Sequence, residues 1–278
     1  MRRIPRFFLI LLVFFGSFLA IYGESDQEKQ MFEYMNSERS REGLRLLQWD
    51  KALYKVAMEH SKDMAAMHKV SHRGSDGTQP HERIRKAKIY ASKTAENIAG
   101  DINIVSAHTS LMKSLYHREN ILDPDFTHGT VAVYEQKGYL YITEMFIEKL
   151  TDYSIDEARA AILNHINEIR SDKRLAPLSL SKNLSSVAQS HVEVQTRLSS
   201  MSPLMIMGVI SRQMKGSVLV NVYTTDSLRL APDEVTHNFT LHNNTIGIGF
   251  KKAQGSLCNT GCYVVALIFG SSQRTPAS

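Results

Sequence analysis

The feature that most constrains this chain is a repeat: a segment near its start recurs 131 residues later without a gap. Asn36 aligns with Asn167, Arg39 with Arg170, Leu44 with Leu175, Leu47 with Leu178, Lys51 with Lys182, Leu53 with Leu184, Val56 with Val187, Ala57 with Ala188 and His60 with His191. Both segments read as a helix ending near Arg-x-x-x-x-Leu, a short extended link, and a second amphipathic helix. Further on, Asn97 aligns with Asn221 and Phe146 with Phe269. Solenoid repeats run to only about 50 residues, so a period this long indicates duplicated domains. The expectation is two tandem copies, residues 28–150 and 154–272, joined near Thr151-Asp152-Tyr153-Ser154.

Residues 1–23 stand apart. Arg2, Arg3 and Arg6 precede an uncharged, mostly apolar run from Phe7 to Gly23, the pattern of a secretory signal peptide. That run of 17 residues is shorter than the roughly 20 a spanning helix needs. No stable membrane span is therefore expected after cleavage, and an uncleaved signal anchor is the alternative. Setting those three arginines aside takes the formal net charge from +5 to +2. The remaining chain lacks the clustered basic surface that nucleic acid requires. Arg83, Arg85, Lys86 and Lys88 form a local basic run, which reads as a solvated helix face.

The only cysteines, Cys258 and Cys262, bracket Asn-Thr-Gly, good turn material between two apolar runs. In an exported protein this predicts a disulfide clamping a hairpin tip, with a CxxxC metal clip as the alternative. Asn183, Asn238 and Asn243 head glycosylation sequons that matter only in a glycosylating host.

In the first copy, helices are expected over about 26–41, after Asp50, from Pro80 to Lys88 and from Asn103 to Tyr116. Thr130–Tyr134 and Tyr139–Phe146 read as strands joined at Gln136-Lys137-Gly138. Helices flanking a small, mostly antiparallel sheet give an α+β fold, an α-β-α sandwich.

Four signatures carry the chemistry: Ser71-His72-Arg73-Gly74, Ala95-Glu96-Asn97-Ile98-Ala99, His117-Arg118-Glu119-Asn120-Ile121-Leu122 and Thr143-Glu144-Met145-Phe146. In order and spacing they resemble the CAP superfamily, the cysteine-rich secretory, antigen 5 and pathogenesis-related proteins, and within it the cysteine-poor bacterial members. The resemblance implies the same α-β-α sandwich and a cavity holding His72, His117 and Glu96. Larger members place a second glutamate on the helix before the second histidine. Leu111 to Tyr116 offers no acid there, and Glu144 is the substitute. Leu111 also replaces the family's usual Trp, and Leu115-Tyr116 its small-residue pair.

Two imidazoles with one carboxylate suit Zn²⁺ and leave an open coordination position. The candidate metal set is thus His72, His117, Glu96 and Glu144, with Glu96 or Glu144 as the base if the site is catalytic. The second copy lacks this chemistry: His72 falls on Pro203, Glu96 on Val220 and Glu144 on Leu267, with His237 nearest to a counterpart of His117. It reads as a degenerate CAP-like domain. His60 and His191, beside the apolar stripe of their helices, read as structural, and the methionines as core filler. The leading expectation is a secreted or periplasmic protein whose His/Glu cleft binds a divalent metal and a small, lipid or glycan ligand at the cell envelope or host surface, without catalysis. A metal-assisted hydrolase of peptide or cell-wall material and a purely structural envelope protein are the alternatives.

Overall fold

A computed structural model of the chain describes residues 25–197, 219–229 and 244–270. The apolar amino-terminal run, Pro203, the methionines of 201–214, His237, Asn238 and Asn243 lie outside these residues. The first unit runs α1 (Asp26–Arg41), β1 (Gln48–Trp49), α2 (Lys51–Met67), α3 (Pro80–Lys86), β2 (Ala91–Asp101), α4 (Ile104–Lys113), α5 (Leu115–Leu122), β3 (His128–Gln136) and β4 (Tyr139–Lys149). Its sheet has the order β1-β3-β4-β2, so β2 is an edge strand. β1 pairs with β3 in parallel and the rest is antiparallel.

Local chemistry sets the helix starts. Ser25 and Glu28 form a reciprocal capping box on α1, Asp50 accepts from the Ala52 and Leu53 amides to start α2, and Pro80 occupies the first turn of α3. Strand alternation then assigns the faces. Leu140, Ile142 and Phe146 of β4 pack with Met31 and Met35 of α1 and with Ile104 and Leu111 of α4. Met145 and Ile147 pack on the opposite face with Leu53 and Ala57 of α2 and Ile84 of α3. The result is the expected α-β-α sandwich, with a helical layer on each face.

Three local expectations are corrected. The helix expected over Asn103–Tyr116 is two, because Ser114 takes an extended conformation (ψ 122°) that closes α4 and opens α5. The strand expected at Thr130–Tyr134 extends over His128–Gln136. Residues 91–101, unassigned from sequence, are the eleven-residue edge strand β2.

The second unit comprises α6 (Ile155–Asp172), β5 (Ser179–Leu180), α7 (Lys182–Arg197), β6 (Leu219–Thr225), β7 (Thr245–Gly255) and β8 (Asn259–Gly270). Its sheet order is β5-β7-β8-β6, again with the first pair parallel. Asn36 exchanges two hydrogen bonds with the Leu47 backbone (2.8 and 3.2 Å), and Asn167 does the same with Leu178 (2.8 and 3.0 Å). The buried Arg39 donates through Nε to the Arg45 carbonyl, and the buried Arg170 to that of Ala176. Asn97 pairs in register with Glu144, and Asn221 with Leu267. Gly247 and Gly249 face the α7 backbone at Leu184 and Ala188 so closely that a Cβ on either would clash.

The Cys258–Cys262 disulfide closes the β7–β8 turn, as expected. This tip docks on the start of β2. Thr260 Oγ1 donates to the Ala91 carbonyl (2.8 Å), and Gln254 Nε2 to that of Ile89 (2.7 Å). No helix among the described residues is long and apolar enough to cross a membrane.

Candidate functional site

Glu96 lies mid-way along β2 with its side chain 1% exposed. Its Oε1 faces His72 Nδ1 at 2.9 Å, and its Oε2 accepts from Arg83 Nη2 at 2.6 Å. The buried His60 of α2 approaches Oε1 to 3.8 Å. His72 comes from the loop after α2, which His68 ends in the left-handed conformation (φ 51°). Its side chain remains 47% exposed. Because Nδ1 faces the carboxylate, the outward atom of that ring is Nε2.

Arg83 organises this loop. Besides Glu96, its guanidinium donates through Nη1 to the His72 and Thr78 carbonyls, both at 3.0 Å. Its side chain is only 11% exposed. The basic run expected as a solvated face is thus broken at Arg83. His60, read from sequence as structural, is buried and ties down the same loop: its Nε2 lies 2.9 Å from the Ser71 carbonyl. A carbonyl can only accept, so Nε2 carries the proton and Nδ1 a lone pair. Burial lowers the His60 pKa against the opposing pull of Glu96.

On the other face of β2, Asn97 is fully buried and joins three elements. Its Nδ2 donates to the His117 carbonyl (3.0 Å) and to Glu144 Oε2 (2.9 Å), while its Oδ1 accepts from Asn120 Nδ2 (2.9 Å). This network holds α5, and with it His117, against the edge strand. Burial lowers the His117 pKa, and the nearby His72 lowers it further. Glu144 sits between Ile142 and Phe146 on the α1/α4 face, with no exposed surface. Burial pushes its pKa up to about 7, against the Asn97 hydrogen bond, and its Oε1 has no partner.

The four residues expected to share one cavity therefore divide. His72 and Glu96 are in contact. His117, on α5, is near enough to His72 to feel its charge, and Glu144 is sealed in the core, bonded to Asn97. Among the described residues no group of three or more His, Cys, Asp or Glu is placed to hold a metal ion. The second unit carries Leu267 at the register position of Glu144, and the buried Asn221 Nδ2 has no partner.

Residues 32–147 match the profile of the cysteine-rich secretory protein family, CAP. Over 126 residues the chain is 35% identical to the uncharacterized protein YkwD of Bacillus subtilis, covering 45% of this chain and 48% of that one. It is 30% identical over 127 residues to the uncharacterized membrane protein YlbC of the same organism, covering 45% and 36%. The chain thus spans less than half the length of these curated relatives. An extracellular SCP-domain protein from Bacillus anthracis is 34% identical over 44% of this chain and 40% of that one, with a TM-score of 0.42. Na-ASP-1 is only 11% identical but superposes over 93% of this chain and 92% of its own, with a TM-score of 0.50.

Proposed function

With residues 32–147 a CAP domain, we propose that this chain is an extracellular ligand-binding protein of the cell envelope that works without a resident metal. The observation that carries this reading is the clasp on Glu96. Both carboxylate oxygens are engaged, one by His72 and one by the Arg83 guanidinium. Glu96 thereby orients an imidazole instead of ligating an ion, as second-shell carboxylates do. Two imidazoles alone fall short of the three protein ligands of a catalytic zinc site. The residues present do not fit a resident zinc, and Arg83 supplies the positive charge in its place. Glu144 meets no solvent, so it cannot act as a base on a bound molecule.

The extracellular placement rests on the signal-like start of the sequence and on the Bacillus anthracis relative described as extracellular. Residues 154–272 are read as a degenerate second CAP-like domain. The shared strand order, the matched Asn36 and Asn167 bonds and the fold likeness to Na-ASP-1 along both units support this. The hydrolase remains a second reading, favoured by one observation: a half-exposed histidine oriented by a buried carboxylate is a general-base geometry.

Co-sedimentation with purified Bacillus cell-wall sacculi tests both. The expected result is retention of the intact chain, weakened in His72→Ala, with no soluble fragments released. Absence of retention overturns the binding reading. Fragment release that a folded Glu96→Gln variant cannot perform establishes the hydrolase.

A further inference from the structure

Five segments of the first unit come together at one end of its sheet. α1 begins there: Glu28, in its first turn, accepts through Oε1 from the Val133 amide (3.0 Å), near the end of β3. The β3–β4 hairpin turns there at Lys137 and Gly138, and β2 ends beside it, Asp101 pairing with Leu140. α2 ends there too, since Val70, just beyond it, closes with the Tyr139 hydroxyl over Gly100. α4 sets out from the same end, directly after β2.

This end presents apolar side chains to water. Ile102, in the link between β2 and α4, is 74% exposed, Val105 56% and Tyr139 38%. Exposed apolar residues scattered singly need no explanation, but a group gathered at one end marks a contact surface. The charged side chains that reach solvent around them balance: Lys29, Lys69 and Lys137 against Asp26, Asp101 and Glu135. Attraction to a strongly charged partner is therefore absent, and apolar area is what this end offers.

The connection of the chain says what faces it. Only Glu24 separates the apolar run Phe7–Gly23 from Ser25, the N-cap of α1. From Gly23 to Ser25 the backbone reaches at most about 7 Å. While that run is attached and held in a bilayer, the end of the sheet where α1 starts is held at the bilayer surface.

We infer that this end of the first unit docks on a lipid surface, with Ile102 and Val105 entering the interface of a zwitterionic bilayer and the Tyr139 ring at its edge. Apolar side chains on a polar body bind in this way at the boundary between headgroups and acyl chains. Glu96 lies five positions before Asp101 on β2, up to about 16 Å along the strand. Docking thus holds the His72 ring close to the membrane but above the headgroups. The inference goes beyond the ligand-binding reading and does not depend on it.

The test reconstitutes the full chain in phosphatidylcholine vesicles that carry a nitroxide-labelled lipid. A polarity-sensitive fluorophore is placed on Val105→Cys or, as the control, on Lys51→Cys. Lys51 opens α2, whose 17 residues put it about 25 Å from the docking end. The expected result is a blue shift and nitroxide quenching at position 105 and neither at position 51. Ile102→Asp, a change at a side chain already in water, should abolish the quenching at 105 while the run Phe7–Gly23 keeps the chain on the vesicles. Ile102→Trp, a residue suited to the membrane interface, should increase it. Quenching absent at 105, or equal at both positions, overturns the inference, as does quenching at 105 that survives Ile102→Asp. A label at 105 that is shielded from aqueous iodide yet unquenched by the lipid nitroxide also overturns it, by showing that a second copy of the chain covers this end.

Discussion

Arg83 Nη2 and Glu96 Oε2 lie 2.6 Å apart, the guanidinium 11% and the carboxylate 1% exposed. A nearly buried ion pair of this kind adds little over an apolar pair, yet is costly to break from one side. Arg83→Gln should therefore destabilise the protein by about 3 kcal/mol in urea denaturation. It also frees one oxygen of Glu96 beside two histidines. Calorimetry should show no tight zinc binding to the wild-type chain and measurable binding to Arg83→Gln. Tight one-to-one zinc binding by the wild type would mean that the arginine does not stand in for a cation.

Glu144 gives a pH signature. Its pKa rises from 4.5 to about 7 on folding because burial disfavours the charged form. The folded state then binds more protons than the unfolded state between those values, and stability falls as pH rises across that window. The loss is about 3 kcal/mol, complete above pH 7. Glu144→Gln keeps an acceptor for Asn97 and removes the ionisation. It should flatten the decline between pH 4.5 and 7 and raise Tm at pH 8. A variant that melts with the wild type at both ends would show that the carboxyl is solvated in solution.

The histidines work in the opposite direction. Burial lowers the pKa values of His60, His108, His117 and His191. Such groups charge more readily when unfolded, so their contribution is present above about pH 6.5 and fades as pH falls below it. His108 is the clearest case: both ring nitrogens are buried without a hydrogen bond, the ring lies against Tyr34, and burial outweighs the opposing pull of Glu38, whose Oε1 is 4.0 Å from Nε2. Replacing it with Phe should reduce the acid-side loss, read as a smaller drop in Tm between pH 7 and pH 5.

Asn97 joins β2, β4 and α5 through one amide. In Asn97→Ala the His117 carbonyl, Glu144 Oε2 and Asn120 Nδ2 all lose this partner. The expected cost is about 2 to 4 kcal/mol, with faster amide exchange in α5 than in α2. Equal exchange in the two helices would show that α5 is held by its apolar contacts alone.

The disulfide closes a loop of few residues, so its entropic share is small. Cys258→Ser/Cys262→Ser should lose about 2 kcal/mol. Because this tip donates to Ile89 and Ala91, the Ile89 and Leu150 amides next to it should exchange faster. Unchanged exchange there would mean that the tip docks equally well without the bond.

Much of the scaffold was legible in the sequence because it follows local rules. The Asp50 cap, the apolar stripe from Leu53 to Met64 and the turn between the cysteines needed no tertiary information. β2 was not legible. Polar groups face both its sides at Glu96 and Asn97, which erases the alternation that marks a half-buried strand. The break at Ser114 was missed for lack of a proline or glycine to announce it. Arg83 was read as solvent-facing because charged runs usually are, and only the fold brings Glu96 under it. Glu144 misled in the reverse sense, since its place in the motif gave no sign that β4 turns it inward.

The docking of the clamped tip on β2 bears on what the second unit does for the first. Two carbonyls next to the edge of the first sheet are answered by side chains 165 and 169 residues away. Exposed strand edges invite pairing with other chains. A shortened protein ending after β4 would lose that cover at the start of β2, the strand that also carries Glu96. At that point the second unit stands as a guard on its neighbour's open seam.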